Sequence, residues 1–395
     1  MTTLKTRLAQ AADALGGELE ALSHRIHAHP ELGFAEVQAA AWLAEFLGAH
    51  GFEVERGVAG IETAFRGTIE TGAGPTIAIL CEYDALPGIG HACGHNVIGA
   101  AGAGAGAALA AVRDALPAGR IQIIGTPAEE GGGGKVKLVE AGAFRDVDAA
   151  MMVHGFDRNV LHQTLLGVTR TAFQWSGKAA HASADPWAGV NALDACIQTF
   201  NAVAMLRQQM HPSCRIHGII TDGGAAENII PERAAATFSV RAPSVDAMWS
   251  LHARVQACAE GAAAATGTAV EVRPQDVVYE PMDASAVLLE LFAENLRALG
   301  VPIDEPVADR TASSDIGNVS QVVPTIHPWI AIAPKGMAIH TREFRDSAAS
   351  PLARAGLLAG AKAMAMTTVD LLSNTGALAK AKAEFTAKRS PRSPS

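Results

Sequence analysis

The sequence predicts an α/β protein in which an open sheet is flanked by helices and a second, ferredoxin-like α+β domain is inserted into the chain. The apolar runs at residues 76–81 and 120–125 have the composition of buried strands. Residues 169–279 follow the order β-α-β-β-α-β, which is the split βαβ, ferredoxin-like pattern. A chain of 395 residues exceeds the usual size of a single core, so two domains are expected.

The larger domain is expected to be discontinuous, with residues 1–168 and 280–380 on either side of an inserted domain at 169–279. Apolar periodicity predicts its helices and strands in chain order. The predicted helices are 4–29 (one or two), 36–50, 97–112, 285–299 and 349–371, and the predicted strands are 53–56, 63–69, 76–81, 120–127, 148–154 and 325–332. In the inserted domain, strands are expected around 173–175, 215–220, 234–241 and 269–273, with helices at 189–210 and 245–265. The tail at 388–395 is rich in Ser, Pro, Lys and Arg and is predicted to be disordered.

Composition excludes several classes of protein. A hydrophobic content of 49% with 18% charged residues indicates a globular protein. The net charge of −9, with no basic stripe, argues against nucleic-acid binding. The apolar segment 97–112 is shorter than a membrane span requires, and the first 19 residues lack the pattern of a secretion signal. Five scattered Cys do not form a disulfide framework, so we expect reduced thiols and a cytoplasmic location.

Polar residues follow the central apolar strand at the point where it ends. Cys93 and His95 lie two apart with only Gly94 between them, and both can face one ion if the backbone bends at the glycine. Asn96 is expected to cap the helix of small residues that follows. A lone Cys-x-His pair is a weak metal signal, and the residues after the next strands strengthen it.

Two further predicted strands also end in potential ligands. The adjacent carboxylates Glu129 and Glu130 diverge, so one can bind metal while the other takes a proton from water. His154 ends the third strand. Taken singly, a Glu-Glu pair on a solvated loop or a core histidine would be ordinary; their recurrence at three strand ends indicates a site. The glycines before Lys135 could suggest a phosphate loop, but Val136 stands where that motif needs Ser or Thr.

The full set of motifs resembles the aminoacylase/carboxypeptidase family of co-catalytic metallopeptidases over nearly the whole chain. The matching segments are 84–87, 91–95 (His-Ala-Cys-Gly-His), 127–130 (Pro-Ala-Glu-Glu), His154, 177–181 and His340. The Cys-Gly-His form is similar to the amidohydrolase branch. Segments 82–84, 94–96, 314–320 and 326–328 are similar to p-aminobenzoyl-glutamate hydrolases and β-alanyl dipeptidases. In fold terms, the resemblance implies a mixed, mainly parallel catalytic sheet and an inserted lid and dimerisation domain.

The resemblance also implies roles for individual residues. Cys93 would bridge two divalent ions, with His95 and His154 on one and Glu130 and His340 on the other. These ions are expected to be zinc or manganese, with cobalt or nickel as further possibilities. Other branches carry a metal-binding His where this chain has Glu82, and His95 would take over that function.

Three roles lie outside the ligand set. Glu129 would be the general base that acts on a metal-activated water, and Asp84 would orient a ligand histidine. His181 would stabilise the oxyanion from a dimer partner, and Asn228 and Arg241 would hold the substrate carboxylate, unless they are structural residues of the lid. Asn96 replaces the Asp that commonly follows Cys-Gly-His, which removes a charge beside the metal.

These roles predict a metal-dependent amidohydrolase that cleaves N-acyl or N-aroyl amino acids or dipeptides, acting as a homodimer through the lid. Two alternatives remain open at this point. The same dimetal site could hydrolyse a xenobiotic amide or remove an aromatic amine, or the chain could be a non-catalytic partner of a related enzyme. The non-catalytic alternative would predict that Glu129, Cys93 or one of the proposed metal ligands is replaced by another residue, and all of them are present.

Overall fold

The structure is a computed structural model that describes residues 3–275, 277–307 and 311–389. The chain divides into two compact units. The first comprises Met1–Thr164, Asp283–Thr311 and Asp315–Ser395, and the second comprises Leu165–Met282 and Ala312–Ser314. The domain boundaries expected from sequence lie a few residues from these, and the sequence pattern does not indicate the short return at 312–314.

Strands and helices alternate along the first unit, and the second unit interrupts them. The strands are β1 (Glu53–Arg56), β2 (Phe65–Glu70), β3 (Thr76–Cys81), β4 (Arg120–Gly125), β5 (Ala149–Met151), β6 (His154–Phe156), β7 (Gly167–Ser176), β8 (Arg215–Asp222), β9 (Arg233–Ala242), β10 (Ala269–Pro274), β11 (Thr325–Ile326) and β12 (Trp329–Ala331). The helices are α1 (Thr3–Ala14), α2 (Gly16–Ala28), α3 (Val37–Ala49), α4 (His95–Ala110), α5 (Gly134–Glu140), α6 (Ala192–Leu206), α7 (Val245–Thr266), α8 (Ala286–Ala298), α9 (Ile316–Ser320), α10 (Arg342–Ser347), α11 (Pro351–Ser373) and α12 (Thr375–Arg389).

The first unit is built on a six-stranded sheet with the order β1-β2-β4-β3-β5-β11. Strands β4, β3, β5 and β11 run parallel, and β1 and β2 are antiparallel additions at one edge. All six residues of β3 are buried, as the apolar run predicted. The prediction of a mixed, mainly parallel sheet is therefore confirmed, and the carboxyl ends of its central strands meet at one edge.

The prediction of one continuous strand at 148–154 and another at 325–332 was wrong, because each segment forms two short strands. Strands β5 and β11 belong to the main sheet, whereas β6 and β12 form a separate two-stranded parallel sheet. Pro328 lies at the division and has no N–H to donate to a ladder. Its carbonyl still accepts from the N–H of His154 at 2.9 Å, so His154 is placed just beyond the end of the main sheet.

Helix α4 packs its backbone closely against β3, which explains its Gly and Ala composition. A Cβ atom at Gly102 would lie 2.5 Å from Cys81 Sγ and 2.9 Å from the Leu80 carbonyl oxygen. Side chains larger than a hydrogen atom therefore cannot be accommodated at this crossing unless the helix moves.

We expect Gly102→Ala to destabilise the protein by about 1–3 kcal/mol, because overpacking against backbone outweighs the better helix propensity of Ala. The matched control is Gly48→Ala in α3, where no atom lies within 4 Å of the added Cβ. That exposed substitution should stabilise by roughly 0.5–1 kcal/mol. Urea denaturation of both variants measures the contrast, and equal changes would show that the close approach does not constrain the fold.

Helix α11 is the one helix in the described part of the chain with the length and hydropathy of a membrane span. Its most apolar window is 78% buried inside the protein. It packs against α4 and α8 in the main hydrophobic core. That packing accounts for the apolar character of the helix. The cytoplasmic location expected from the sequence stays a prediction.

The chain after residue 373 differs from its prediction. Helix α12 follows α11 and includes Lys388 and Arg389, which belong to the segment predicted to be disordered. Lys388 Nζ lies 2.7 Å from Asp283 Oδ1, and Arg389 Nη2 donates to the carbonyl of Ser320 at 2.6 Å. These contacts with distant segments order the last turn of the helix. Residues 390–395 of the predicted tail lie outside the described residues.

The second unit is an antiparallel sheet with the order β10-β7-β9-β8, and α6 and α7 pack together on it. Numbered within the unit, this is the order 4-1-3-2 of the ferredoxin-like fold that the βαββαβ pattern predicted. Its separate core includes Phe173, Trp175, Phe238 and Val255.

Candidate metal centre

The loop between β3 and α4 brings the first three candidate residues together. Gly94 has φ +80°, and the Cβ of any other residue there would lie 2.5 Å from Ile332 Cδ1. This bend places Cys93 and His95 inside the protein, 5% and 0% exposed. The Nδ1 atom of His95 lies 2.9 Å from the carbonyl oxygen of Asp84 and 3.1 Å from its Oδ1. These contacts fix the ring of His95 against Asp84.

Asn96 does not cap helix α4. The helix begins at His95 with Gly94 at the cap position, and Asn96 lies within its first turn. Its buried amide donates to Ser23 Oγ and to the carbonyl of Ala348, each at 2.9 Å. The residue that replaces the common Asp therefore ties α4 to distant segments, and a neutral amide suits those two acceptors.

The loop after β4 carries the two adjacent carboxylates Glu129 and Glu130. Ala128 has a left-handed backbone with φ 59°, and its N–H donates to the buried Glu36 Oε1 at 2.8 Å. The N–H of Glu130 donates to Asp84 Oδ2 at 2.9 Å, so Asp84 joins this loop to His95. Glu130 Oε1 lies 3.5 Å from His340 Nε2. Glu129 offers a donor atom within 4.8 Å of Glu82 and Asp315, and Glu129 and Glu130 together also lie within 4.8 Å of His95.

His154 and His340 complete the group. The Nδ1 atom of His154 lies 2.7 Å from the Gly155 carbonyl, which can only accept, so Nδ1 carries the hydrogen and Nε2 offers its lone pair. That Nε2 atom lies 3.4 Å from Cys93 Sγ. His340 has φ 63°, and its N–H donates to the carbonyl of Ala92 at 2.8 Å.

All five sequence-predicted ligands converge in two overlapping sets. Cys93, His95 and His154 offer donor atoms within 4.8 Å of one another, and so do Cys93, Glu130 and His340. Cys93 belongs to both sets. Two donor atoms, His95 Nε2 and Glu130 Oε1, are buried with no hydrogen-bond partner among the described residues. Thiolate, imidazole and carboxylate donors suit zinc, manganese or cobalt, so the residues fit a pair of divalent cations.

The surroundings of His154 and Glu129 shift their pKa values in opposite directions. Burial lowers the pKa of His154 to about 4, which keeps the ring neutral, as a ligand must be. Burial and the neighbouring carboxylates Glu82 and Glu130 raise the pKa of Glu129 well above its usual value. A carboxylate whose protonated form is stabilised is suited to accept a proton.

Sequence reasoning missed a buried ion network beside these residues. Lys135 Nζ lies 2.6 Å from Glu82 Oε1 and 2.7 Å from Asp315 Oδ1, and none of the three side chains is exposed. The sequence pattern presents Lys135 only as the lysine of an incomplete phosphate loop. No local pattern identifies its partners, because 53 and 180 positions separate them from Lys135 along the chain.

His181, Asn228 and Arg241 lie in the second unit. The N–H groups of Ser183 and Ala184 donate to His181 Nδ1 at 3.3 Å, so the Nε2 atom of the neutral ring carries a hydrogen. The carbonyl of Asn228 accepts from the residue after His181, which places these two segments side by side.

Arg241 lies far from that pair along β9. Its Nη1 donates to Ser313 Oγ at 2.7 Å. Strand β9 rises about 26 Å from Arg233 to Arg241, at ~3.3 Å per residue. Arg241 therefore lies near the opposite end of β9 from Arg233, where the loop that carries Asn228 joins the strand.

Comparison with known proteins identifies the family. The sequence profile of peptidase family M20/M25/M40 matches residues 78–363. A Mus musculus protein named Xaa-Arg dipeptidase is 38% identical over 98% of this chain and 93% of its own. One of the subunits of the Escherichia coli p-aminobenzoyl-glutamate hydrolase is 30% identical over 92% of this chain and 91% of its own.

A solved structure shares the fold. A dinuclear metal-binding peptidase of the M20 family from Bacillus subtilis has a TM-score of 0.74 and 22% identity, and the match covers 91% of this chain and 99% of that one. Homologues named as dipeptidase and hydrolase support a metal-dependent hydrolase of peptide or amide bonds. The predicted resemblance is confirmed, and this chain belongs to peptidase family M20/M25/M40.

Proposed function

We propose that this protein is a dinuclear metal-dependent dipeptidase that releases a C-terminal amino acid, with basic residues such as arginine as the first candidates. The observation that carries the hydrolytic part is the convergence of Cys93, His95, Glu130, His154 and His340 around the shared thiolate, with Glu129 beside them. The 38% identity to a protein named Xaa-Arg dipeptidase, over almost the whole chain, supports the dipeptide as substrate.

The ligands would hold two cations, with Cys93 between them, His95 and His154 on one and Glu130 and His340 on the other. Bound divalent ions lower the pKa of water and polarise the amide carbonyl. Glu129 takes the proton that water loses on attack and passes it to the leaving amine nitrogen, which breaks the C–N bond. Asp84 contacts both the ring of His95 and the backbone N–H of Glu130, so it would position one ligand of each ion.

Residues of the second unit supply the remaining roles in this proposal. The Nε2–H of His181, contributed by a second copy of the chain, would donate to the oxyanion. Arg241 would hold the free carboxylate of the substrate, because its guanidinium matches that group. Asn228 lies beside His181, so we assign it to the same end of the second unit rather than to the carboxylate beside Arg241.

A second candidate substrate is p-aminobenzoyl-glutamate. It is favoured by the 30% identity to one of the subunits of the Escherichia coli hydrolase of that name. Both candidates are amides of an amino acid with a free carboxylate, so one catalytic centre serves either. They differ in the acyl group, which is aromatic in one case and an amino acid, including β-alanine, in the other.

The test is release of the amine product, followed by mass spectrometry, from a matched panel. The panel contains Xaa-Arg and Xaa-Lys dipeptides, β-alanyl dipeptides, N-acyl amino acids and p-aminobenzoyl-glutamate, with zinc or manganese added and a chelator control. Chelator-sensitive cleavage of dipeptides with a basic C-terminal residue is the expected result. Cleavage of p-aminobenzoyl-glutamate alone would support the second candidate. No cleavage of any member by protein that holds two ions would contradict the proposal.

We also propose that the protein is a homodimer through the second unit. Strand β8 is an edge of its sheet and exposes Ile219 and Ile220, 66% and 45%. Exposed apolar edge strands are templates for pairing, and a second copy of the same strand offers a self-complementary partner. Helix α6 adds the exposed side chains of Ile197 and Met205.

Ile219→Lys is expected to convert a dimer into a monomer at micromolar concentration, since a charge would be buried at the pairing edge. Light scattering gives the mass directly. Leu352→Lys, at an exposed apolar position of the first unit, is the matched control and should stay dimeric. A wild-type monomer, or an Ile219→Lys dimer, would contradict this interface.

A further inference from the structure

The buried carboxylate of Glu36 has no part in the roles described above. Glu36 is the residue before α3, and its side chain is 0% exposed. A residue at this cap position commonly accepts N–H groups of the first turn, but Glu36 makes no such side-chain bond within the described part of the chain. Glu31 accepts them instead, from Gln38 at 2.9 Å and from Ala39 at 3.0 Å. The start of α3 therefore does not require the Glu36 side chain.

The Glu36 side chain reaches the loop after β4. Its Oε1 atom accepts a hydrogen bond of 2.8 Å from the N–H of Ala128, 92 positions along the chain. Ala128 is fully buried and has φ 59°, in the left-handed region that residues with a Cβ atom rarely adopt. Such a conformation persists where the surroundings impose it. Glu36 is one of the contacts that impose it, one residue before the proposed base, Glu129.

Ala128 is held at both of its peptide groups. Its N–H donates to Glu36, and its carbonyl accepts from the N–H of Gly133 at 2.8 Å. The two bonds together fix the two backbone dihedrals of Ala128, because they orient the peptide planes on either side of its Cα atom. Those dihedrals determine the direction in which the chain enters Glu129. Removal of the Glu36 acceptor releases the first of these planes.

Close packing locates the methyl group of Ala128 but not its N–H. A Cβ atom at Gly33 would lie 2.9 Å from the Ala128 Cβ, and a Cβ atom at Gly132 would lie 2.6 Å from it. These two glycines therefore enclose the methyl group. A methyl group is nearly symmetric about its bond, so its packing does not define the rotation of the preceding peptide plane. The bond to Glu36 defines that rotation.

This bond needs an acceptor oxygen and does not need a full charge. Burial raises the pKa of Glu36 to about 7, and the nearby carboxylate of Asp84 contributes to the rise. The carbonyl oxygen of a protonated carboxyl group still accepts a hydrogen bond, as does that of a glutamine amide. Glutamine at position 36 should therefore preserve the contact.

We propose that Glu36 is a positioning residue that holds the Ala128 peptide group and thereby sets the direction of the Glu129 side chain. The inference rests on the proposed function, in which Glu129 is the general base. It concerns the base and not the ions, because Glu130 has an anchor of its own. The N–H of Glu130 donates to Asp84 Oδ2 at 2.9 Å.

The test compares Glu36→Leu with Glu36→Gln in protein loaded with zinc. Glu36→Leu removes the acceptor, so we expect kcat to fall about 10–100-fold, since small misplacements of catalytic groups are that costly. The KM and the two bound ions should be retained. In substrate-free protein, hydrogen exchange of the 127–133 segment, measured by mass spectrometry, should become faster. Glu36→Gln should keep the wild-type kcat and the wild-type exchange.

Two further variants complete the comparison. Glu31→Ala removes the two bonds to the first turn of the same helix, so it should lower stability and leave kcat and the exchange of the 127–133 segment unchanged. Glu36→Asp keeps the charge but withdraws the oxygen by one methylene group, so it should lose kcat like Glu36→Leu. It decides the matter if Glu36→Leu does not fold.

Wild-type kcat in folded Glu36→Leu or Glu36→Asp protein would overturn the proposal, and so would an equal loss of kcat in Glu36→Gln. A fall in kcat with wild-type exchange of the 127–133 segment would also overturn it, because the effect would not pass through Ala128. Failure of the proposed function is distinguishable, because it appears as unchanged kcat in Glu129→Gln or as no cleavage by the wild-type protein. Hydrogen exchange is measured without substrate and tests the contact in either case.

Discussion

Replacing Glu129 by glutamine is expected to lower kcat by about 10²–10⁴-fold while the protein keeps two bound ions. The amide has the size of the carboxylate but cannot accept the proton that water loses. Glu129 shares a set of donor atoms with His95 and Glu130 but belongs to neither set that contains Cys93, so both ions are expected to stay bound when it is replaced. Steady-state kinetics and metal analysis of the same preparation measure both quantities.

The neighbouring residue provides the control, because Glu130→Gln is the same chemical change one position along. Glu130 lies 3.5 Å from His340 Nε2 and shares a set with Cys93, so its amide should lose one ion along with activity. A Glu129→Gln protein with unchanged kcat would refute its role as base. Loss of metal in that variant would move Glu129 into the ligand set.

Replacing Cys93 by alanine is expected to reduce the metal content from two ions towards none and to abolish activity. Cys93 is the one residue common to both three-residue sets that contain a thiol, so its removal weakens both ions at once. Any other single ligand change should affect mainly one ion. Metal analysis after dialysis against metal-free buffer shows the difference.

Cys81→Ala is the matched control for this substitution. Cys81 is also fully buried and ends β3, twelve positions before Cys93, but it belongs to neither set. It should cost some stability and leave both ions bound. Full metal occupancy in Cys93→Ala would show that the thiol is only a buried loop residue.

The sequence predicted those features of the site that depend on local patterns. Apolar runs located β3 and β4, and the residues that follow them identified Cys93, His95 and Glu130 as neighbours at one sheet edge. Parallel strands align their carboxyl ends, so residues distant in sequence converge without any contact being known in advance. The same reasoning found His154, although the strand before it is interrupted.

Long-range pairing could not be predicted in this way. The Glu82–Lys135–Asp315 network joins three segments whose charges would each be solvated in isolation, and only the tertiary fold buries them. Helix α12 was missed because its sequence is polar and rich in Lys, which resembles a solvated tail. Lys388 of this helix pairs with Asp283 of a distant segment and with Glu384 one turn earlier in the same helix, and the sequence pattern indicates only the second of these.

The parallel pairing of β5 with β11 joins two strands that are synthesised at different times. Ala150 pairs with Thr325, so the edge of the first sheet remains open while the ribosome adds the intervening chain. At 5–20 residues per second that interval is about 9–35 s. His340 emerges later still, so a nascent chain presents Cys93, His95, Glu130 and His154 before the ligand set is complete. The proposed ligands of one ion, Cys93, His95 and His154, are therefore all synthesised before the set for the other ion, which includes His340, is complete.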